Sequence, residues 1–298
     1  DFLEMSMLHG LREVMGEDCV DYPKKKIMYH DFSETNKDTL HGRGFSLLTK
    51  PIKDIKDREI FDKKFDFVLY GDGHIYGEEP FKEEIDKLAT HGVWIIDGHD
   101  LYGYAKEKIN YNGETVIGTQ FDNCFKRELV DLSKKNVYET GFGIPKHRIR
   151  EIDLSIKDQL FQKTAPAHAL FQNENINSGY IFTEEEEYYD DMSRSWFGLT
   201  SKKGGWDCLR HYEIMSAGAL LLFRDYKNKP PRCSPQDLPC FSYSTPQELR
   251  DLMSRLVVDN TPTREYKEML HEQRKWLEDN GTTNARANKV LEIFRNIK

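Results

Sequence analysis

The chain has 298 residues, 38% apolar and 32% charged, with a formal net charge of −8. That length suits two domains of about 150 residues, and no run approaches the roughly 18 apolar residues of a membrane span. The acidic balance argues against a general nucleic-acid backbone binder, which needs a basic face, so a phosphate-bearing ligand must meet a local positive site.

In chain order, Leu3, Met7, Leu8, Leu11 and Met15 fall at helical spacing and predict a helix over 2–15. Four short apolar runs read as strands: Lys26–Tyr29, Phe65–Tyr70, Val93–Ile96 and Thr115–Gly118. A helix is expected over Phe81–Thr90. Such alternation implies parallel strands joined by crossover helices. The pattern breaks at Gly141-Phe-Gly-Ile-Pro145 and turns basic through Arg150, which places a domain boundary near residue 150, between 1–150 and 151–298. The second half resumes with a strand near Leu160–Phe161, a strand at Ser178–Phe182 and a helix over Glu184–Ser193. Next come a strand at Trp196–Thr200, a glycine loop, a helix over Asp207–Ala217 and a strand at Ala219–Phe223. Thr245-Pro246-Gln247-Glu248 carries an N-cap, a proline at the first helical position and an acid that closes a capping box. The last helix is expected over Asn284–Ile297.

The five cysteines are scattered without a C-x-x-C pair, so free thiols in a reducing compartment are expected. The N-terminus lacks the basic-then-apolar order of a signal peptide, which favours a cytoplasmic location. Asn280-Gly281-Thr282 matches a glycosylation sequon and reads as a turn. His74 and His99 each follow Asp-Gly, but their surroundings lack a metal-ligand spacing, and they read as loop histidines.

The chemistry concentrates between Ser195 and Phe223. A strand enters the Gly204-Gly205 loop, which opens a helix expected to be capped by Asp207. Backbone N–H groups at such a helix start, with Gly205, Trp206 and Asp207 beside them, make an anion site. Arg210 stands in the first turn, and Glu213 lies one turn further on the same face. A guanidinium there can hold a diphosphate, and a carboxylate beyond it can accept both hydroxyls of a ribose. The plain alternative is a surface helix with an Arg–Glu pair worth about 0.2–0.5 kcal/mol.

The pattern Ser195-x-Phe-Gly-Leu, a glycine loop, then Asp-x-x-Arg-x-x-Glu before Ala217-Gly-Ala and an apolar strand resembles the donor region of GT-B glycosyltransferases. It is most similar to the group-1-like (spore-coat CgeB-like) and exostosin-like families. Trp94-Ile-Ile-Asp97-Gly, Phe125-Lys-Arg-Glu128 and Gly141-Phe-Gly-Ile-Pro145 look like the same families' run into the linker. The resemblance implies an α/β GT-B architecture, two Rossmann-like domains facing across a cleft, with the last helix, Asn284–Ile297, crossing back onto the first domain. It implies Arg210 on the diphosphate and Glu213 on the ribose of a nucleotide-sugar donor, with a glycan or other hydroxyl acceptor on the first domain. Two features depart from it. Gly205, not Glu, lies eight positions before Glu213, and Leu160-Phe-Gln-Lys163 lacks the glycine-rich form of many relatives, which puts Lys163 as a phosphate contact in doubt. No Asp-x-Asp pair occurs in the chain. A helix N-terminus and Arg210 could then neutralise the leaving diphosphate without a metal, and no cofactor is expected.

Inverting transfer needs a base, expected at the carboxyl end of a first-domain strand. Asp72, Asp97 and Asp100 are the candidates, with Asp72 preferred for its open Gly-Asp-Gly turn; capping or turn roles are the alternative for each. Lys126 and Arg127 are read as contacts to an acceptor or phosphate, or else as exposed basic residues on a helix face. A rival reading takes Gly71, Gly73 and Gly77 with Asp97 as an NAD(P) fingerprint. Asp72, Glu78 and Glu79 oppose it by repelling a pyrophosphate. A non-catalytic interaction module is the other rival.

Overall fold

The computed structural model describes residues 2–30, 35–71, 81–98, 100, 108–111, 114–117, 121–130, 135–172 and 181–297, the segments 108–111 and 114–117 by backbone alone. The chain opens with α1 (Phe2–Met15), which buries Leu3 and Met7. Lys26–Met28 is a single 3-10 turn, not the expected strand. The apolar run there is too short to pair, and Met28 is buried against Leu47, Leu48 and Ile52. The first half continues through β1 (Phe65–Tyr70), α2 (Lys82–Asp86), β2 (Ala89–Asp97), β3 (Lys108–Tyr111), β4 (Glu114–Ile117), β5 (Asn123–Lys126) and β6 (Asn136–Glu139). Strands β1, β2, β5 and β6 form one all-parallel sheet in the order β1-β2-β5-β6.

Three expected elements come out differently. The helix expected over Phe81–Thr90 is cut to α2, because Ala89 already pairs with Phe65 at the start of β2. The run Thr115–Gly118 is not part of the parallel sheet; β4 pairs antiparallel with β3. Asn112-Gly113 separates those two strands by two residues, the dipeptide that favours a tight hairpin. Of the strand expected at Ser178–Phe182, Ile181 and Phe182 are not in a strand, and 178–180 lie outside the described residues.

The second half runs β7 (Gln159–Phe161), α3 (Glu185–Ser193), β8 (Ser195–Ser201), α4 (Leu209–Ala217), β9 (Leu220–Arg224), β10 (Phe241–Tyr243), α5 (Pro246–Leu256), α6 (Arg264–Trp276) and α7 (Thr283–Ile297). Strands β7 to β10 form a second all-parallel sheet in chain order. The protein is therefore α/β, with two parallel four-stranded sheets. Strand β8 is buried throughout and Leu220–Phe223 are wholly inaccessible, as expected of central strands covered on both faces. Leu221 and Phe223 pack with Tyr212, Ile214 and Met215 of α4. Leu220 and Leu222, pointing the other way, pack with Leu249, Leu256, Tyr266 and Leu270 of α5 and α6. Thr245 caps α5 as its spacing predicts, accepting from the Glu248 N–H at 3.1 Å.

The chain passes between the halves twice, side by side. The Ile144 N–H donates to the Gly281 carbonyl (2.9 Å), and the Thr283 N–H donates to the Ile144 carbonyl (3.0 Å). Helix α7 then packs on α1, and Phe294 stacks on Phe67 of β1 with ring centroids 4.0 Å apart.

Helices α3 and α4 carry the candidate site, and one buried cation fixes their ends. The Lys157 ammonium donates to the carbonyls of Ser193 (3.0 Å), Ser195 (2.6 Å) and Gly218 (2.9 Å). Gly218 itself closes α4 at φ +85°, a left-handed position that suits glycine. Burial lowers the Lys157 pKa to about 8, yet its three partners keep it in place. Replacing Lys157 by Ala strips a charged donor from three carbonyls and should cost ~3 kcal/mol of stability, read by chemical denaturation. A loss below ~0.5 kcal/mol would mean that the clamp does not hold α3 and α4.

Candidate functional site

Helix α4 starts at Leu209, and its N-cap is Cys208, not the expected Asp207. Asp207 is unavailable because its carboxylate is buried toward the first half. There it accepts from the Phe142 N–H (2.8 Å) and the Tyr212 hydroxyl (2.7 Å). Among the described residues no side chain caps α4; the His211 N–H is taken by the Cys208 carbonyl (3.0 Å), and the Leu209 and Arg210 N–H groups ahead of it are suited to an external anion. Arg210 is half-buried in that first turn and makes no hydrogen bond or ion pair among the described residues.

Glu213, one turn on, is buried. Its carboxylate accepts from the Ser46 hydroxyl and from the Tyr188 hydroxyl (2.6 Å). Burial raises its pKa, while the two hydroxyls and the Arg210 charge pull the other way. Ser46 comes from the glycine-rich stretch Leu40-His-Gly-Arg-Gly-Phe-Ser46, which sequence reasoning passed over. Neither Ser46 nor Tyr188 lies in a recognisable motif, and only the fold brings them to Glu213.

The Gly204-Gly205 loop has a different setting from the open cradle its composition suggests. A Cβ on Gly204 would run into the Asp100 carboxylate, and one on Gly205 into Glu128. The Glu128 carboxylate accepts from the Asp207 N–H at 2.9 Å. The loop thus faces the first half, with an internal carboxylate on the Asp207 N–H. Of the expected donor-binding set, Arg210 and Glu213 lie together on α4, while Lys163 is exposed beyond the carboxyl end of β7.

Lys126 and Arg127 are not exposed and not helical. Lys126 ends β5 and is fully buried, with its ammonium 2.9 Å from Asp97. Arg127 follows it and donates to the Gly98 carbonyl (2.8 Å), the Asp207 carbonyl (2.6 Å), Glu128 (3.2 Å) and Asp100. Burial works against the Arg127 charge, but Glu128, Asp207 and Asp100 hold its pKa above the ordinary value. Both basic residues are engaged inside the protein, because a strand end at a buried junction must neutralise the acids that meet there.

Among the candidate bases, Asp97 is sealed in its pair with Lys126. Asp100 is 46% exposed, rests on the Gly204-Gly205 loop and is held by Arg127. Asp72, His74, His99, Gly73 and Gly77 lie outside the described residues. In the sequence Glu128 carries no signal beyond the Phe125-Lys-Arg-Glu128 resemblance. Its burial beside Arg127 makes it the acid that joins the halves, and burial raises its pKa.

His211 locks the loop to the sheet. The Trp206 carbonyl can only accept, so Nε2 carries the proton and donates to it (2.9 Å), and Nδ1 accepts from the Thr200 hydroxyl (3.0 Å). Burial drops the His211 pKa to about 3. Its folded pKa lies below the unfolded value, so its stabilisation is present above roughly pH 6.5 and is lost as pH falls towards 3. Stability measured against pH should fall through that window by up to ~1.4 kcal/mol per pH unit from this group, and His211→Gln should flatten the slope. An unchanged slope in the variant would show that His211 is not the buried neutral group described.

No family model matches the chain, and no curated protein matches it.

Proposed function

We propose that the protein is a glycosyltransferase of GT-B type that moves a sugar from a nucleoside-diphosphate sugar to an acceptor hydroxyl, with inversion and without a divalent ion. The observation that carries this reading is α4 itself. At the carboxyl edge of the second parallel sheet it presents a helix start without a side-chain cap and an Arg210 without a hydrogen bond or ion pair, both among the described residues, and Glu213 one turn beyond. Carboxyl edges of parallel sheets are where such folds bind ligands. In this reading the helix dipole and Arg210 hold the diphosphate and take up its charge as the glycosidic bond breaks. Glu213 accepts the ribose hydroxyls. The acceptor oxygen attacks the anomeric carbon from the opposite face, and a first-half acid takes its proton.

Asp100 supports this assignment of the base best among the described acids. It is partly exposed, follows the carboxyl end of β2, and lies against the loop that leads into α4. Arg127 would orient it as a positioning residue.

Two measurements test the reading. Arg210→Ala and Glu213→Ala should each weaken UDP or GDP binding by about 10- to 100-fold with the fold intact, since each removes a charge-assisted contact worth ~1.5–3 kcal/mol. Parental affinity in both variants would refute the donor site. Asp100→Asn should lower turnover at least ~100-fold, in buffer containing EDTA, while nucleotide affinity stays at the parental value. Near-parental turnover would remove Asp100 from the mechanism.

A further inference from the structure

The two hydroxyls on Glu213 come from opposite halves of the chain and converge on one carboxylate. Tyr188 belongs to α3, next to α4, and donates at 2.6 Å. Ser46 belongs to the first half, 167 residues away, and donates its only hydroxyl proton to Glu213. Its oxygen therefore accepts from Tyr189 (2.8 Å), and its N–H is taken by Glu185. Phe45 packs against the Tyr188 ring at 5.7 Å. The segment that delivers Ser46 is held in an unusual backbone: Gly42, Arg43, Gly44 and Ser46 all have positive φ, between +53° and +74°. Arg43 and Ser46 are L side chains in that region, a strained position that favours glycine. Such a conformation persists only where surrounding contacts hold it; Arg43 pairs with Asp38 inside the first half, and Ser46 is held by its contacts to α3 and α4.

We propose that the Leu40–Ser46 loop is a built-in plug, whose Ser46 hydroxyl, together with the Tyr188 hydroxyl of α3, occupies Glu213 as a stand-in for the vicinal diol of a ribose. This rests on the donor reading given above and adds its regulation. A ribose presents two hydroxyl donors to one carboxylate, as these two side chains do. Donor entry exchanges one pair for the other, withdraws Ser46 and releases the loop from its strained conformation. Empty, the buried carboxylate keeps its hydrogen bonds; filled, it keeps the same number. The loop thus closes the site to water between turnovers and couples donor binding to movement of a first-half segment.

The test is calorimetric titration of the full chain with UDP, with GDP and with inorganic pyrophosphate, comparing the parent with Ser46→Ala and Tyr188→Phe. Removal of one competing hydroxyl should tighten binding of UDP or GDP about tenfold in either variant, the worth of one hydrogen bond, and leave pyrophosphate affinity unchanged, because pyrophosphate carries no diol. Equal or weaker nucleotide binding in both variants, with the parent binding well, would overturn the plug and make the two hydroxyls supports of Glu213. Equal tightening for pyrophosphate would overturn it as well, since the loop would then obstruct the diphosphate. If the parent and both variants bind neither nucleotide, the donor reading itself fails and takes the plug with it.

Discussion

Arg127 is the charge around which the two halves are assembled. It is buried at the end of a first-half strand, in contact with Glu128 and Asp100 of its own half and with the backbone of Asp207 from the other. Glu128 and Asp207 are both buried, and desolvation raises the pKa of each. Removing one partner from such a buried set typically costs about 3–5 kcal/mol, because the remaining charges are left uncompensated. The guanidinium suits the position. Its rigid fork reaches several acceptors at once, and it lies over the Phe142 ring at 5.1 Å.

From that junction the position of α4 follows. Glu128 takes the Asp207 N–H, Asp207 takes the Tyr212 hydroxyl, and Arg286 of α7 donates to the same Tyr212 oxygen at 3.1 Å. The chain of contacts runs from β5 through the glycine loop into α4 and on to the last helix. His211 adds a tie back to β8, and Lys157 fixes the far end of α4. The helix that carries Arg210 and Glu213 is therefore held from both ends and from both halves. Such rigidity suits a proposed diphosphate site, because fixed dipoles stabilise developing charge without reorganising.

The arrangement also separates two uses of charge. The buried acids Asp97, Glu128 and Asp207 are engaged by protein groups and serve the architecture. Asp100, beside the loop, and Arg210, at the helix start, are partly exposed and are the charges assigned to proposed chemistry. Glu213 stands between these classes: buried and hydrogen-bonded, yet by hydroxyl groups alone, which a polyhydroxylated ligand can replace in kind.

Much of the second half was legible in the residues. The helix–strand rhythm from Glu184 to Phe223, the cap at Thr245 and the glycine closing α4 depend on local spacing and backbone preference, which a sequence carries directly. So does the pairing of Arg210 with Glu213 on one helical face. What could not be read is what depended on distant partners. Lys126 and Arg127 read as contacts to an acceptor or phosphate, or as surface cations, but contacts with Asp97 and with Asp207, 29 and 80 residues away, bury them. The glycines of the loop looked like a phosphate cradle, and the nearest groups to them are two first-half carboxylates. Thr115–Gly118 looked like a sheet strand until a neighbouring hairpin partner claimed it. Ser46 had no local signal at all, since a serine after a short glycine-rich stretch has no fixed meaning. Local propensity travels with the chain; the partner of a buried charge or hydroxyl is set only when remote segments meet and water is excluded between them.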